Sequence, residues 1–419
     1  MIWTGSILLL LALLGAPLFV IIASGAMLGY LGSDIPLSAV AIEIFGIAEM
    51  PILLAIPLFT FAGYILSESD APGRLVRVTN AMLGWLPGGL AIVAIATCAL
   101  FTAFTGASGV TIIALGALLY PALAQAGYDE RFNLGLVTAG GSLGLLFAPS
   151  LPLILYGVVA EVSIDALFIA GVLPGLLMIV TLSAYCLWVN RRNRVPLSNF
   201  SWTEVGRALW ESAWELPLPV VVLGGIYSGF LAVSEAAAVT AIYVVAVEVA
   251  FRREIPWSRV PGIMRESMVL VGGILLILGA SLASTNYMID AEIPQRLIGL
   301  VGELVSGRTS FLFLLVLFLL ALGAILDIFS ALVLVVPLIL PVAAEFGVHP
   351  VHLGIVFLAT MQLGYLTPPV GLNLFIASYR FDQSIVRVYL ATLPFLLMLL
   401  VAVMLITFWP GLSLALLEK

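Results

Sequence analysis

Four short segments place polar side chains inside otherwise apolar runs. Two read Phe104-Thr105-Gly106-Ala107-Ser108-Gly109-Val110-Thr111 and Gly323-Ala324-Ile325-Leu326-Asp327-Ile328-Phe329-Ser330. The other two read Gly144-Leu145-Leu146-Phe147-Ala148-Pro149-Ser150-Leu151-Pro152 and Gly364-Tyr365-Leu366-Thr367-Pro368-Pro369-Val370-Gly371-Leu372-Asn373. Proline removes an N–H and blocks the carbonyl of the preceding turn, so a helix unwinds there. Inside a bilayer, unwound backbone persists only where protein buries it or a cavity solvates it. The freed carbonyls and the Ser and Thr hydroxyls make a cage of hard oxygens suited to a small cation such as Na⁺. Half-helix N-termini offer partial positive charge to an organic anion.

Asp327 stands out because no other charge lies between Phe311 and Leu340. A carboxylate at mid-bilayer costs at least ~3 kcal/mol on the insertion scale. It therefore binds a cation, carries a proton or meets a partner. Asn373 offers an amide to a carboxylate or hydroxyl of a substrate. Glu235 reads as a first-turn residue at a helix N-terminus, and Glu248 as an i,i+4 partner of Arg252. His349 and His352 fall in a predicted loop without metal spacing. No Gly-Lys nucleotide motif, Ser-His-Asp arrangement or zinc pattern is present, so no covalent chemistry and no organic cofactor are expected.

These residues need helices that cross a membrane. Of 419 residues, 63% are hydrophobic and 9% charged, against about 25% charged in soluble domains. Soluble enzymes and nucleic-acid binders are excluded, and a lipid bilayer is the expected surrounding. Cys98 and Cys186 lie in apolar runs and suggest neither a disulfide nor a metal site. Residues 7–14 follow the first Met without a basic segment and read as a membrane helix, not a removed signal.

Runs of the necessary ~20 residues lie at 4–30, 48–68, 166–190, 214–229, 231–251, 264–288 and 387–409. Regions 131–161 and 350–379 are broken by Pro and Gly. Regions 87–125 and 309–346, about 38 residues each, read as re-entrant hairpins with polar tips. With the N-terminus cytoplasmic, Arg74, Arg77, Arg131, Arg191, Arg192, Arg194, Arg207, Arg252, Arg253, Arg259, Arg265, Arg380 and Arg387 fall inside. Only Arg296, Arg308 and Lys419 fall outside, as the positive-inside bias requires.

The chain is an internal duplication at an offset of about 220. Leu173-Pro174 through Met178 matches Leu393-Pro394 through Met398; Leu143-Gly144, Leu146 and Pro149 match Leu363-Gly364, Leu366 and Pro369. Pro121 matches Pro341, and Pro72-Gly73-Arg74-Leu75 resembles Pro294-Gln295-Arg296-Leu297. Five crossings lie between corresponding elements, so the second half is expected to be inverted. Paired broken helices in inverted repeats point to a secondary transporter with its site at the midplane. Each half also carries an amphipathic surface helix, 72–86 and 292–306, suited to tie a mobile domain to a fixed one. In the first, Leu75, Val78, Met82 and Trp85 form the apolar face and Arg74 and Arg77 the polar one.

The fold class expected is an all-α polytopic membrane protein: an inverted repeat with two re-entrant hairpins and two broken helices. Residues 1–86 hold scaffold helices and the first arm; 87–190 the first transport half, with hairpin 87–125 and broken helix 131–161. Residues 191–306 hold a linker, scaffold helices and the second arm; 307–419 the second transport half, with hairpin 309–346 and broken helix 350–379.

Thr105-Gly106-Ala107-Ser108-Gly109, Ser234-Glu235-Ala236-Ala237-Ala238-Val239 and above all Leu366-Thr367-Pro368-Pro369-Val370-Gly371-Leu372-Asn373-Leu374-Phe375 resemble the large membrane (M) subunit of tripartite ATP-independent periplasmic (TRAP) transporters. The resemblance covers essentially the whole chain. It implies a multi-pass protein of the bacterial inner membrane, an elevator-type transporter that imports a small organic acid with two or more Na⁺ ions. Its partners are a periplasmic substrate-binding protein (P type) and a small four-helix membrane subunit (Q type), expected as a separate chain. Carried over, one Na⁺ lies among Thr105, Ser108, Gly109, Ala148 and Pro149. A second lies among Gly323, Asp327, Gly364, Thr367 and Pro368. The substrate lies near Ser108, Ser150, Asp327, Ser330 and Asn373. A stand-alone Na⁺- or H⁺-coupled carboxylate carrier of related fold is the alternative.

Overall fold

The computed structural model describes residues 7–8, 10–11, 14–86, 88–191, 200–305 and 307–417. Arg192, Arg194 and Lys419 of the charge count, and residues 4–6, 9, 12 and 13 of the first expected span, lie outside them. Among the described residues the structure is all helical. Seven helices are long and apolar enough to cross a membrane, or nine when each of two bent pairs counts as one span.

Helices Leu18–Gly32 and Ser38–Gly46 lead to Pro51–Glu68, the first full-length span. The arm Ala71–Leu83 follows, then Gly89–Thr105 and Ser108–Gln125, joined by the two-residue tip Gly106-Ala107. The hydroxyls of Thr102 and Thr111 lie 2.7 Å apart across this tip, so the two helices run side by side as a hairpin. Glu130–Gly140 and the short turn Leu143–Leu146 end at an extended segment, and Leu151–Val159 resumes at an angle of 44°. Ile164–Asn190 closes the first half.

The second half repeats these bounds. Val260–Asp290 is a full-length span, Ile293–Leu304 is the second arm, and a bend of 110° leads into Arg308–Gly323. The tip 324–327 connects it to Ile328–Glu345, and the stacked rings of Phe311 and Phe346, 4.8 Å apart, close this hairpin at its open end. Ser108 and Gln125 correspond to Ile328 and Glu345, and Glu130 to Pro350, each at an offset of 220. Pro350–Gly364 breaks at 365–371 before Leu372–Arg380, and Ile385–Phe408 ends the repeat. Cis peptide bonds occur at Ala148-Pro149 and Pro368-Pro369.

The core sits around the broken helices. Every residue from Val351 to Gly364 is buried, as is every residue from Phe132 to Leu146. Gly144 and Gly364, matched at offset 220, allow each broken helix to touch the hairpin of its own half. A methyl group on Gly144 would lie 2.2 Å from the Ala99 carbonyl oxygen; one on Gly364 would lie 2.5 Å from the Cα of Gly323.

Several local expectations are corrected. The expected span 214–229 is helix Pro217–Tyr227, only 11 residues, or about 17 Å long. Helices Ser38–Gly46 and Trp202–Glu211 were not anticipated; both are short, and the second lies in a stretch read as linker. Arg74 does not sit with Arg77 on a polar face. It is buried, in one stripe with Ala71, Leu75 and Val78, because residues three and four apart share a helix face. Glu248 pairs with Arg74, not with Arg252, since a π-helical turn at Ala246–Phe251 displaces the i,i+4 register. Of the two histidines expected in a loop, His349 is its last residue and caps Pro350–Gly364, accepting from the Val351 N–H, whereas His352 is buried in that helix's first turn. Glu235 does act at its helix N-terminus, accepting from the Ala232 N–H at 2.9 Å.

Gly144→Ala and Gly364→Ala force a methyl group into backbone, an overpacking that costs about 1–3 kcal/mol or more. Gly273→Ala, where nothing lies within 4 Å, is neutral or mildly stabilising. Thermal unfolding in detergent orders the three: two marked losses and one midpoint held.

Candidate functional site

The first hairpin tip touches both breaks. On one side a methyl on Gly106 would strike the Leu151 side chain at 2.6 Å, next to Ser150 of the first break. On the other, Ser108 Oγ donates to Asn373 Oδ1 at 2.8 Å, and Gly109 abuts Ile376, both beyond the second break. Gly106 takes φ +65°, a left-handed turn in which glycine carries no Cβ penalty. Behind the tip, Gly63 of span Pro51–Glu68 brings that helix against the Thr105 backbone.

The second tip is stitched to the second break by backbone. The Ala324 carbonyl accepts the N–H groups of Val370 and Gly371, both at 3.1 Å, and the Tyr365 hydroxyl accepts the Ile328 N–H at 2.6 Å. Asp327 caps the helix Ile328–Glu345. Its Oδ1 accepts the N–H groups of Phe329 and Ser330 at 3.0 Å, and its Oδ2 accepts the Ser330 hydroxyl. The half-buried carboxylate is therefore held by the first turn's donors at the N-terminus of that helix.

A cavity of about 250 Å³ opens where the two tips meet. Ser108, Gly109 and Asp327 line it, with Tyr365 of the second break and Tyr64 and Leu270 of the two long spans. Thus Ser108, Gly109 and Asp327 converge, Asn373 joins through Ser108, and Ser330 through Asp327. The other expected residues are distributed around them. Thr105 and Ser150 are buried on the first-break side with hydroxyl oxygens that have no hydrogen-bond partner among the described residues, and the Asn373 amide nitrogen is likewise unpaired among them. Pro149 is buried and Ala148 half-buried. Gly323 and Gly364 meet backbone to backbone; Thr367, within the break, donates to the Leu363 carbonyl in the last turn of the preceding helix, and Pro368 is exposed. Among the described residues no three His, Cys, Asp or Glu side chains are grouped so that they could hold a metal ion.

Tyr365, Tyr64 and Leu270 were not anticipated. Tyr365 directly follows Gly364 in a quoted segment, so its place was readable, but its role depends on a hydroxyl that reaches the opposite hairpin. Tyr64 and Leu270 sit in unbroken apolar spans, where nothing local marks them.

The arrangement is that of a multi-pass membrane transporter. The solved YdaH transporter of Alcanivorax borkumensis shares this fold, with a TM-score of 0.64 over 90% of this chain and 88% of that one at 15% identity. Residues 5–412 match the family described as tripartite ATP-independent periplasmic transporter, DctM component, and the chain belongs to it. Among its relatives is the C4-dicarboxylate TRAP transporter large permease protein DctM of Pseudomonas aeruginosa, 36% identical over 94% of this chain and 92% of that protein. Another is the ectoine/5-hydroxyectoine large permease UehC of Ruegeria pomeroyi, 32% identical over 97% and 96%. The isethionate permease DctMQ of Oleidesulfovibrio alaskensis is 32% identical over 94% of this chain, which covers 61% of that protein.

Ser108→Ala leaves the Asn373 amide wholly unpaired, which costs about 1–3 kcal/mol for a buried group. In a cycle with Asn373→Ala the two losses combine less than additively, because each removes the same bond. Thermal midpoints of the three variants test this; strict additivity contradicts it.

Proposed function

We propose that this chain is the large membrane subunit of a sodium-coupled importer of a small organic acid. The observation that carries the reading is the cavity between the two tips, where Ser108 and Asp327 converge beside Asn373. Its volume suits a small solute, and the named substrates of the relatives, a C4-dicarboxylate, isethionate and ectoine, are all small organic solutes. The solute sits near Ser108 and Asn373, with Ser150, Asp327 and Ser330 at the margins.

One Na⁺ is assigned to Thr105, Ser108, Gly109, Ala148 and Pro149. The unpartnered hydroxyls of Thr105 and Ser150 support it, because buried polar atoms ordinarily have a partner. A second is assigned to Asp327 with Gly323, Gly364, Thr367 and Pro368. Hydroxyl, carbonyl and carboxylate oxygens suit a hard cation over a transition metal.

The mechanism is an elevator. Segments 87–190 and 307–419 move as the transport domain against a scaffold of 1–86 and 191–306, and the two arms join them. The halves are inverted relative to each other when helix Pro217–Tyr227 is counted as a crossing. The arginine distribution puts the N-terminus in the cytoplasm of a bacterial inner-membrane protein. A periplasmic binding protein delivers the solute, and a small four-helix subunit docks on the scaffold. The name DctMQ and the extra length of that relative support such a second membrane component.

Asp327→Asn tests the ion assignment cleanly. Asn caps helices about as well as Asp, so the first turn of Ile328–Glu345 stays formed while the counter-charge is lost. Folding is retained and sodium-stimulated uptake falls at least about tenfold, the loss of ~1.4 kcal/mol of ion affinity. Undiminished sodium stimulation removes Asp327 from the second ion site.

A further inference from the structure

The two arms correspond in sequence but not in how they are held. Pro72-Gly73-Arg74-Leu75 and Pro294-Gln295-Arg296-Leu297 occupy the first turns of helices Ala71–Leu83 and Ile293–Leu304. Arg296 is exposed and makes no ion pair among the described residues. Arg74 is only 3% exposed and meets three carboxylates. Its Nη2 lies 2.6 Å from Glu215 and 3.2 Å from Glu248, and its Nη1 donates to Glu254. Each carboxylate comes from a different place: the approach to helix Pro217–Tyr227, the π-helical end of the span beginning at Val233, and the loop after it.

Neighbouring contacts extend the attachment. Glu254 also accepts the Asp70 N–H at 2.8 Å, Arg77 pairs with Glu211 at 2.9 Å, and Arg252 reaches the Glu211 carbonyl and both Glu215 and Glu254. Burial disfavours the charge on Glu254, but hydrogen bonds from Arg74 and the Asp70 N–H outweigh it and hold this carboxyl below the usual range. At the arm's other end the chain passes Gly88 at φ +70° before the hairpin begins at Gly89.

We propose that Arg74 is a positioning residue that clamps the origin of the first arm to the scaffold, leaving the second arm as the compliant connection. Three carboxylates from separate elements surround one planar guanidinium, Glu248 and Glu254 as hydrogen-bond acceptors and Glu215 as an ion pair, which a lysine cannot reproduce because its ammonium is a single point charge. The first hairpin then moves about the glycine link at Gly88-Gly89, while the second moves with its whole arm. That role in transport rests on the moving domain proposed above; the asymmetry of attachment does not.

Hydrogen exchange on the full-length chain in lipid nanodiscs reads the asymmetry directly. In the unaltered protein, amides of 71–83 are expected to exchange at least about tenfold more slowly than those of 293–304, as local opening free energies dictate. The pair Arg74→Gln with Glu248→Gln keeps the net charge of the cluster and releases the clamp. Exchange over 71–83 then rises to the level of 293–304, while 104–109 and the Na⁺-induced shift in thermal midpoint stay unchanged. Arg74→Lys, a milder change should the double variant fail to fold, gives an intermediate rise. Equal exchange of the two arms in the unaltered protein overturns the proposal, as does either folded variant with an arm protected as before. Loss of the Na⁺ shift in the unaltered protein instead counts against the ion assignment and leaves the exchange comparison standing.

Discussion

The constraint on which this structure rests is that backbone polar groups inside a bilayer need partners. Two helices break in the middle of the fold, and each break frees N–H and carbonyl groups that lipid cannot satisfy. The second break is satisfied by the opposing hairpin tip: the Ala324 carbonyl takes the N–H groups of Val370 and Gly371, and the Tyr365 hydroxyl takes that of Ile328. The hairpins are therefore the structural complement that permits broken helices, and the breaks in turn hold the tips. Ser108 and Asn373 join elements of the two halves, so neither tip is positioned by its own half alone.

Close approach follows from the same need. A tip can satisfy a break only when backbones come within hydrogen-bond reach, and glycine at 144, 323 and 364 makes that possible. The cavity is the space left where both tips and the second break converge, walled on another side by Tyr64 and Leu270 of the two long spans. Its polar groups are few, fixed and largely backbone-anchored. The Asp327 carboxylate is oriented by the first turn of its own helix, and among the described residues no cationic side chain pairs with it.

What was legible in the sequence was whatever has a local or periodic signature. Paired prolines, polar tips and the 220-residue offset located hairpins and breaks to within a few residues, because proline and glycine act on their own turn. Arg74 was misjudged because a helical wheel ranks polarity, and a buried arginine paired with distant glutamates looks the same as an exposed one. Glu248 was misjudged because a π-helical turn, which the i,i+4 rule does not foresee, rotates it towards Arg74. The place of Tyr365 was readable but its role was not, because its hydroxyl reaches Ile328, 37 residues away in a separate hairpin, and Tyr64 sits in an unbroken apolar span where nothing local marks it. Asp327 was found by its isolation, yet the donors that hold it, two N–H groups and Ser330, come from the turn directly after it.

The central claim is tested most directly by uptake into proteoliposomes containing this chain and its small membrane partner. The binding protein is supplied outside, and an inward Na⁺ gradient is imposed or omitted. The account predicts solute accumulation only when both the gradient and the binding protein are present. Accumulation with Na⁺ but without the binding protein would contradict the tripartite reading, and accumulation without a gradient would contradict the coupling.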